Sequence, residues 1–127
     1  MRIYIDADVV IWHLRGDPQA GQFFQELFAA SGDEPWMGAM QRAEIVFHMR
    51  PGEVKRTTNF LALFQTAAID QATVDLGADF YRRWHPSHGI DVNDALLAAT
   101  ALLNDGRIIC LHLKHYPTPE VRVAKAW

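Results

Sequence analysis

The segment Ile3-Tyr4-Ile5 is short, β-branched and aromatic, and it ends on an acid, Asp6. Such a run reads as a buried strand. A strand that is apolar throughout needs cover on both of its faces, which is the habit of parallel sheets flanked by helices. A carboxylate delivered at the end of that strand costs free energy unless it is paired or bound to a cation. The opening residues therefore ask for an α/β architecture and place chemistry at one edge of its sheet.

The rest of the chain supplies the helices. Val9 to Leu14 is apolar and predicts a short helix ending near Gly16. Asp17-Pro18 is a strong helix start, and Phe23, Phe24, Leu27 and Phe28 then recur at helical spacing up to Ser31-Gly32-Asp33. Trp36 to Ala39 reads as a second strand, Gln41 to Met49 as a helix broken by Pro51-Gly52, and Glu53 to Phe64 as a further helix. Ala67-Ala68-Ile69 is a strand candidate, and Asp70 caps a helix running to about Trp84, followed by a loop over His85-Pro86-Ser87-His88-Gly89. Asp91 opens a helix through Leu103, Asn104-Asp105-Gly106 is a turn, and Arg107 to Leu111 and Val121-Arg122-Val123 are the last strands. Strands alternating with helices imply a mainly parallel sheet covered on its faces. In such sheets ligands collect beyond the carboxyl ends of the strands.

Length and composition narrow the class. The 127 residues make one domain of ordinary size, residues 1–127, and with 50% hydrophobic and 21% charged residues the chain can bury a core. The longest strongly apolar run, Ala95 to Leu103, is far short of the ~20 residues a spanning helix needs, so no membrane is expected. Asp6 arrives before a signal-peptide apolar region could form, and the single cysteine, Cys110, excludes an intrachain disulfide, so a reducing cytoplasm is expected. A net charge of −3 does not announce nucleic acid as a very basic domain would, although Arg50, Lys55 and Arg56, and Arg82 and Arg83, stand close together.

The acids carry the functional argument. Asp6 is the natural metal or catalytic position. Asp8, two residues on, reads as the N-cap of the short helix. Glu44 is either an ordinary helical glutamate paired with a base or a third acid of the site. Asp91 and Asp94 are three apart and share a helix face. Asp91 reads as the cap, and Asp94 stands directly before a run of alanines that lets its helix approach the sheet closely. Hard cations such as Mg²⁺ take oxygen ligands, and carboxylates converging from distant segments meet that need. The matching chemistry is metal-assisted hydrolysis of a phosphodiester.

These residues resemble the PIN-domain family, in particular VapC-type toxins of toxin–antitoxin pairs. Ile3-Tyr4-Ile5-Asp6-Ala7-Asp8-Val9-Val10-Ile11 is similar to the family's opening strand, acid and apolar run. Gln41-Arg42-Ala43-Glu44 resembles its second motif, Gly89 to Ala101 its third, and Leu113-Lys114-His115-Tyr116-Pro117 its terminal segment. The resemblance implies a Rossmann-like three-layer α/β/α sandwich, Mg²⁺ or Mn²⁺ as cofactor, endonucleolytic cleavage of RNA, a VapB-like antitoxin as partner and a homodimer. Apolar residues between Asn59 and Phe64 also suggest a dimer face. Carried over, Asp6, Glu44 and Asp94 are the metal-binding and catalytic acids, with Asp91, Asp8 and His112 as auxiliary candidates. Two positions depart from the pattern: Ala7 stands where the family often has Thr or Ser, and His112 where it often has Asn or Asp.

Three other readings compete. Asp-x-Asp after a strand also opens the haloacid dehalogenase-like phosphatases, but Lys55, Lys114 and Lys125 lack the context their chemistry requires. A PIN fold with a weakened site would bind RNA or a partner without cutting. His85 with His88, and His112 with His115, have spacing suggestive of zinc, but a zinc site would normally add cysteines or further histidines in a tight pattern, and this chain has one cysteine.

Overall fold

The computed structural model describes residues 1–127 and holds the expected α/β chain as a five-stranded, wholly parallel sheet. In chain order the elements are β1 (Arg2–Ile5), α1 (Ala7–Leu14), α2 (Pro18–Ala29), β2 (Glu34–Gly38), α3 (Ala39–Phe47), α4 (Val54–Leu61), β3 (Gln65–Ala67), α5 (Gln71–His88), α6 (Val92–Leu103), β4 (Arg107–Cys110) and β5 (Arg122–Lys125). Single 3₁₀ turns cover Pro51–Glu53 and Leu113–His115. The strand order is β3-β2-β1-β4-β5, so the direction of winding reverses between β1 and β4. That reversal is where open parallel sheets form their ligand crevice.

Alternation along the two central strands builds the three layers. Ile3 and Ile5 of β1 and Ile109 of β4 join Phe24, Ile45, Leu61 and Phe64 in one core. Tyr4, Ile108 and Cys110 face the other way, into a core with Phe80, Leu97 and the alanines of α6. Ala95, Ala98, Ala99 and Ala101 are all buried, and α6 touches β1, β2 and β4, the close approach expected of small side chains.

Several boundaries differ from the sequence reading for identifiable reasons. Helix α3 begins at Ala39, two residues early, because Gly38 caps it without any side-chain bond and so leaves no cap signal. The region from Glu53 to Phe64 divides into a 3₁₀ turn and a short α4, and β3 lies two residues ahead of Ala67-Ala68-Ile69. The largest correction is the loop expected over His85 to Gly89. There α5 continues through Pro86 to His88 and stops at Gly89, which takes φ +64°. Proline removes one helix hydrogen bond and crowds the preceding turn. The Gly89 N–H bonded to the His85 carbonyl at 2.9 Å, the His85 ring stacked on Tyr81, and His85 Nδ1 at 2.8 Å from the Ile90 carbonyl hold the last turn together. The segment Asn59–Phe64 spends its large apolar residues on the interior: Leu61 and Phe64 are buried, Phe60 packs against the same core, and only Leu63 is exposed. It does not present the apolar face taken as support for a dimer.

Candidate active site at the carboxyl edge of the sheet

Because all five strands run the same way, every helix that follows a strand starts at one edge of the sheet, and the candidate acids gather there. Asp6 follows β1 directly, and its backbone N–H bonds to the Ile109 carbonyl of β4 at 3.0 Å. The residue is thus locked across the winding reversal. Its side chain, not that of Asp8, caps α1: Oδ1 accepts from the Ala7 N–H at 2.7 Å. The capping role expected of Asp8 falls to Asp6 because the helix starts immediately after the strand, leaving Asp8 in its first turn. Ala7 is buried in the core, so it serves the site through its backbone N–H rather than its side chain.

Glu44 sits in the second turn of α3, facing α6. It has no basic partner, and instead Oε1 accepts from Asn93 Nδ2 at 2.9 Å. Asp91 is the N-cap of α6 as expected, in a reciprocal capping box. The Asp94 N–H donates to Asp91 Oδ1 at 2.7 Å, and the Asp91 N–H donates to Asp94 Oδ2 at 3.1 Å.

Two contributors escaped the sequence reading. Tyr116 is buried, and its hydroxyl donates to Asp6 Oδ2 at 2.8 Å, so both oxygens of Asp6 are held by protein donors. A buried tyrosine hydroxyl needs a partner, and its place in the terminal segment was the available signal. Asn93 lay inside the third motif but was passed over between two acids. His112 follows β4 at the same edge. It is exposed, with Nε2 3.9 Å from Asp8 Oδ2 and its ring 5.4 Å from that of His115.

The electrostatics tie the acids together. Burial raises the Asp6 carboxyl above the ordinary aspartate range, against the hydrogen bonds from Tyr116 and Ala7. Burial also raises Glu44, and the charges of Asp6, Asp91 and Asp8 raise it further. Asp94 is pushed up to about 7, first by burial and then by the charges of Asp91 and Asp6. No lysine or arginine forms an ion pair with Asp6, Glu44, Asp91 or Asp94. Each carboxylate is turned toward an N–H or O–H donor, and no three His, Cys, Asp or Glu side chains converge at metal-holding range.

A stability consequence follows for Asp94. Below the ordinary aspartate range both folded and unfolded chains hold the proton, and the raised pKa costs nothing. Between that range and about 7 the unfolded chain releases its proton first, so the folded state loses stability as pH rises. In chelator, the melting temperature of the wild type is expected to fall from about pH 4 to about pH 7. Asp94→Asn, whose amide oxygen still accepts from Asp91, is expected to flatten that fall. Parallel curves for the two proteins would contradict the origin assigned to it.

Comparison with known proteins gives one consistent result. The family model described as "PIN domain" matches residues 3–111. "Ribonuclease VapC19" of Mycobacterium tuberculosis is 30% identical over 114 residues, spanning 89% of this chain and 90% of that protein. "Ribonuclease VapC10" of the same organism is 32% identical over 117 residues, spanning 91% and 86%. Among solved structures, a toxin–antitoxin complex from Klebsiella pneumoniae superposes with TM-score 0.79 at 20% identity, over 98% of both chains. VapBC-1 from nontypeable Haemophilus influenzae superposes with TM-score 0.81 at 13% identity, over 99% of this chain and 98% of that one.

Proposed function

Since the chain belongs to the PIN domain family, we propose that it is a metal-dependent endoribonuclease and the toxin of a toxin–antitoxin pair, with a VapB-like antitoxin as its partner. The family assignment removes the phosphatase reading. The observation that carries the proposal is that Asp6, Glu44 and Asp94 are partly buried at one edge of the sheet, close enough for the charge of Asp6 to raise the other two, with no lysine or arginine ion-paired to any of them. Carboxylates in this condition repel one another and favour a cation of high charge density.

Asp6, Glu44 and Asp94 are the residues that would hold Mg²⁺ or Mn²⁺. The bound ion would supply a Lewis acid for the phosphate and lower the pKa of the attacking water. The chain's own part is orientation. Tyr116 and the Ala7 N–H fix Asp6, Asn93 fixes Glu44, and the capping box fixes Asp94 against α6. Such supporting donors set the direction of a ligand's lone pairs and the affinity of the site.

The test is direct. Single-stranded RNA labelled at its 5′ end is incubated with the purified protein in EDTA, Mg²⁺ or Mn²⁺, and the products are resolved on a sequencing gel. Internal cleavage with either metal and none in EDTA is the expected result. Cleavage that persists in EDTA would remove the metal, and RNA binding without cleavage under all three conditions would leave a binding module.

A further inference from the structure

Beside Glu44 the surface opens into a groove of about 340 Å³, with α1 as one wall and the end of α3, the Pro51–Glu53 turn and the start of α4 as the other. Three arginines line it: Arg15 from the end of α1, Arg50 from the turn and Arg56 from α4. All three are exposed and none has a carboxylate within ion-pair distance, whereas Arg83, Arg107 and Arg122 each have one. Arg56 instead crosses to α1, where its guanidinium lies 3.4 Å from the His13 carbonyl. Glu53, the other acid of the groove, accepts from the backbone N–H of Arg50 at 3.2 Å.

The fold thus brings three like charges from separate elements around one groove, on both of its walls, and an acid of the site, Glu44, lines the same groove. Gathering them costs repulsion, which an anion lying in the groove would relieve. Guanidinium groups are the side chains best matched to phosphate, through paired N–H donors in a fixed plane. Next to the groove, Trp12 is 45% exposed one helical turn beyond Asp8, with the Arg15 guanidinium 5.8 Å from its ring. An exposed indole beside a basic track is what an unpaired base stacks on. The volume is that of a small-molecule site, room for part of a single strand and far short of a duplex.

Resting on the ribonuclease reading, we infer that this groove is the track for the backbone of single-stranded RNA flanking the scissile bond, with Arg15, Arg50 and Arg56 contacting its phosphates and Trp12 stacking on a base. Each phosphate contact on a single strand contributes roughly −0.7 to the slope of log affinity against log salt. Losing three therefore flattens the slope by about 2 and weakens binding about tenfold or more near physiological salt.

The experiment is a fluorescence-anisotropy titration of a labelled 12-nucleotide single-stranded RNA in calcium buffer, across a salt series, with RNA integrity checked by gel. The proteins are wild type, the triple Arg15→Gln, Arg50→Gln, Arg56→Gln variant, Trp12→Ala, and Arg82→Gln as an exposed, unpaired arginine on α5 outside the groove. The triple variant should show the flattened slope and the tenfold loss, Trp12→Ala a loss with the slope kept, and Arg82→Gln wild-type behaviour. A triple variant that binds like wild type overturns the track, as does Arg82→Gln weakening binding equally. If an acidic dodecapeptide of glutamate binds wild type more tightly than the RNA and is lost in the triple variant, the groove serves a protein segment and the inference fails. Metal-dependent cleavage retained beside an unaltered triple variant sinks the track alone. A wild type that neither binds nor cuts RNA sinks the ribonuclease reading with it.

Discussion

Asp6→Asn is expected to lower RNA cleavage by about 10²–10³-fold or more, while the fold stays intact. Metal ions at phosphoryl oxygens stabilise a transition state by several kcal/mol, and each 1.36 kcal/mol is a factor of ten in rate. The substitution exchanges an anionic oxygen of the proposed metal site for a neutral amide at the position locked between β1 and β4. It disturbs little else. The amide oxygen can still accept from the Ala7 N–H, and the Tyr116 hydroxyl can turn to accept from the amide NH₂, at the sites now joined by bonds of 2.7 and 2.8 Å. Burial holds the Asp6 carboxyl above its ordinary range, so the charged form is already a cost to the folded state, and in chelator the variant should melt no lower than the wild type. Mn²⁺ titration by calorimetry separates the two consequences, because affinity should fall together with activity. Full cleavage by Asp6→Asn would end the proposed mechanism. Lost cleavage with lost folding would mean that Asp6 matters chiefly as the cap of α1.

The order of elements and the edge that carries the acids were readable because they depend on local pattern. A three-residue apolar strand followed by an acid, an Asp-Pro helix start and an alanine-rich helix each announce themselves within a few residues. What could not be read depends on contacts made across the sheet. Asp6 and Asp8 are equally good caps by residue type, and only the point at which β1 ends decides between them. Pro86 predicts a break, yet the ring of His85 stacked on Tyr81 and its bond to Ile90 keep the turn helical. Tyr116 and Asp6 are 110 residues apart, and no periodicity connects them. The apolar run from Asn59 to Phe64 looked available to a partner because the sequence does not show that Phe24 had already claimed Phe60 and Phe64, with ring centroids at 5.1 and 5.9 Å.

Gly106→Ala is expected to destabilise the protein by about 1–3 kcal/mol, the usual cost of an extra carbon forced into a filled interior. The sequence marks Asn104-Asp105-Gly106 as a turn, and in turns the glycine is the usual holder of a left-handed backbone. The structure assigns the parts differently. Asp105 takes the positive φ, +50°, and Gly106 is kept for what it lacks. A Cβ on Gly106 would stand 2.6 Å from the ring of Tyr4 and 2.9 Å from the Arg2 carbonyl. Neither neighbour can give way cheaply, since Tyr4 is fully buried in the core and Arg2 is the first residue of β1. The strain falls on the pairing of β1 with β4, which sets Ile3 against Arg107 and Ile5 against Ile109 and so fixes Asp6 at the winding reversal. Gly106→Ala is therefore expected to lower the melting temperature by several degrees and to weaken Mn²⁺ binding as well, although the residue lies at the opposite edge of the sheet from the acids. Asp105→Gly makes the contrasting case. It relieves a left-handed non-glycine backbone at the expense of an exposed ion pair with Arg122 at 3.1 Å, and pairs of that kind are worth little. Its melting temperature should equal or exceed the wild type's. If Gly106→Ala melts with the wild type while Asp105→Gly loses stability, the close approach of β1 to β4 is not what the glycine serves.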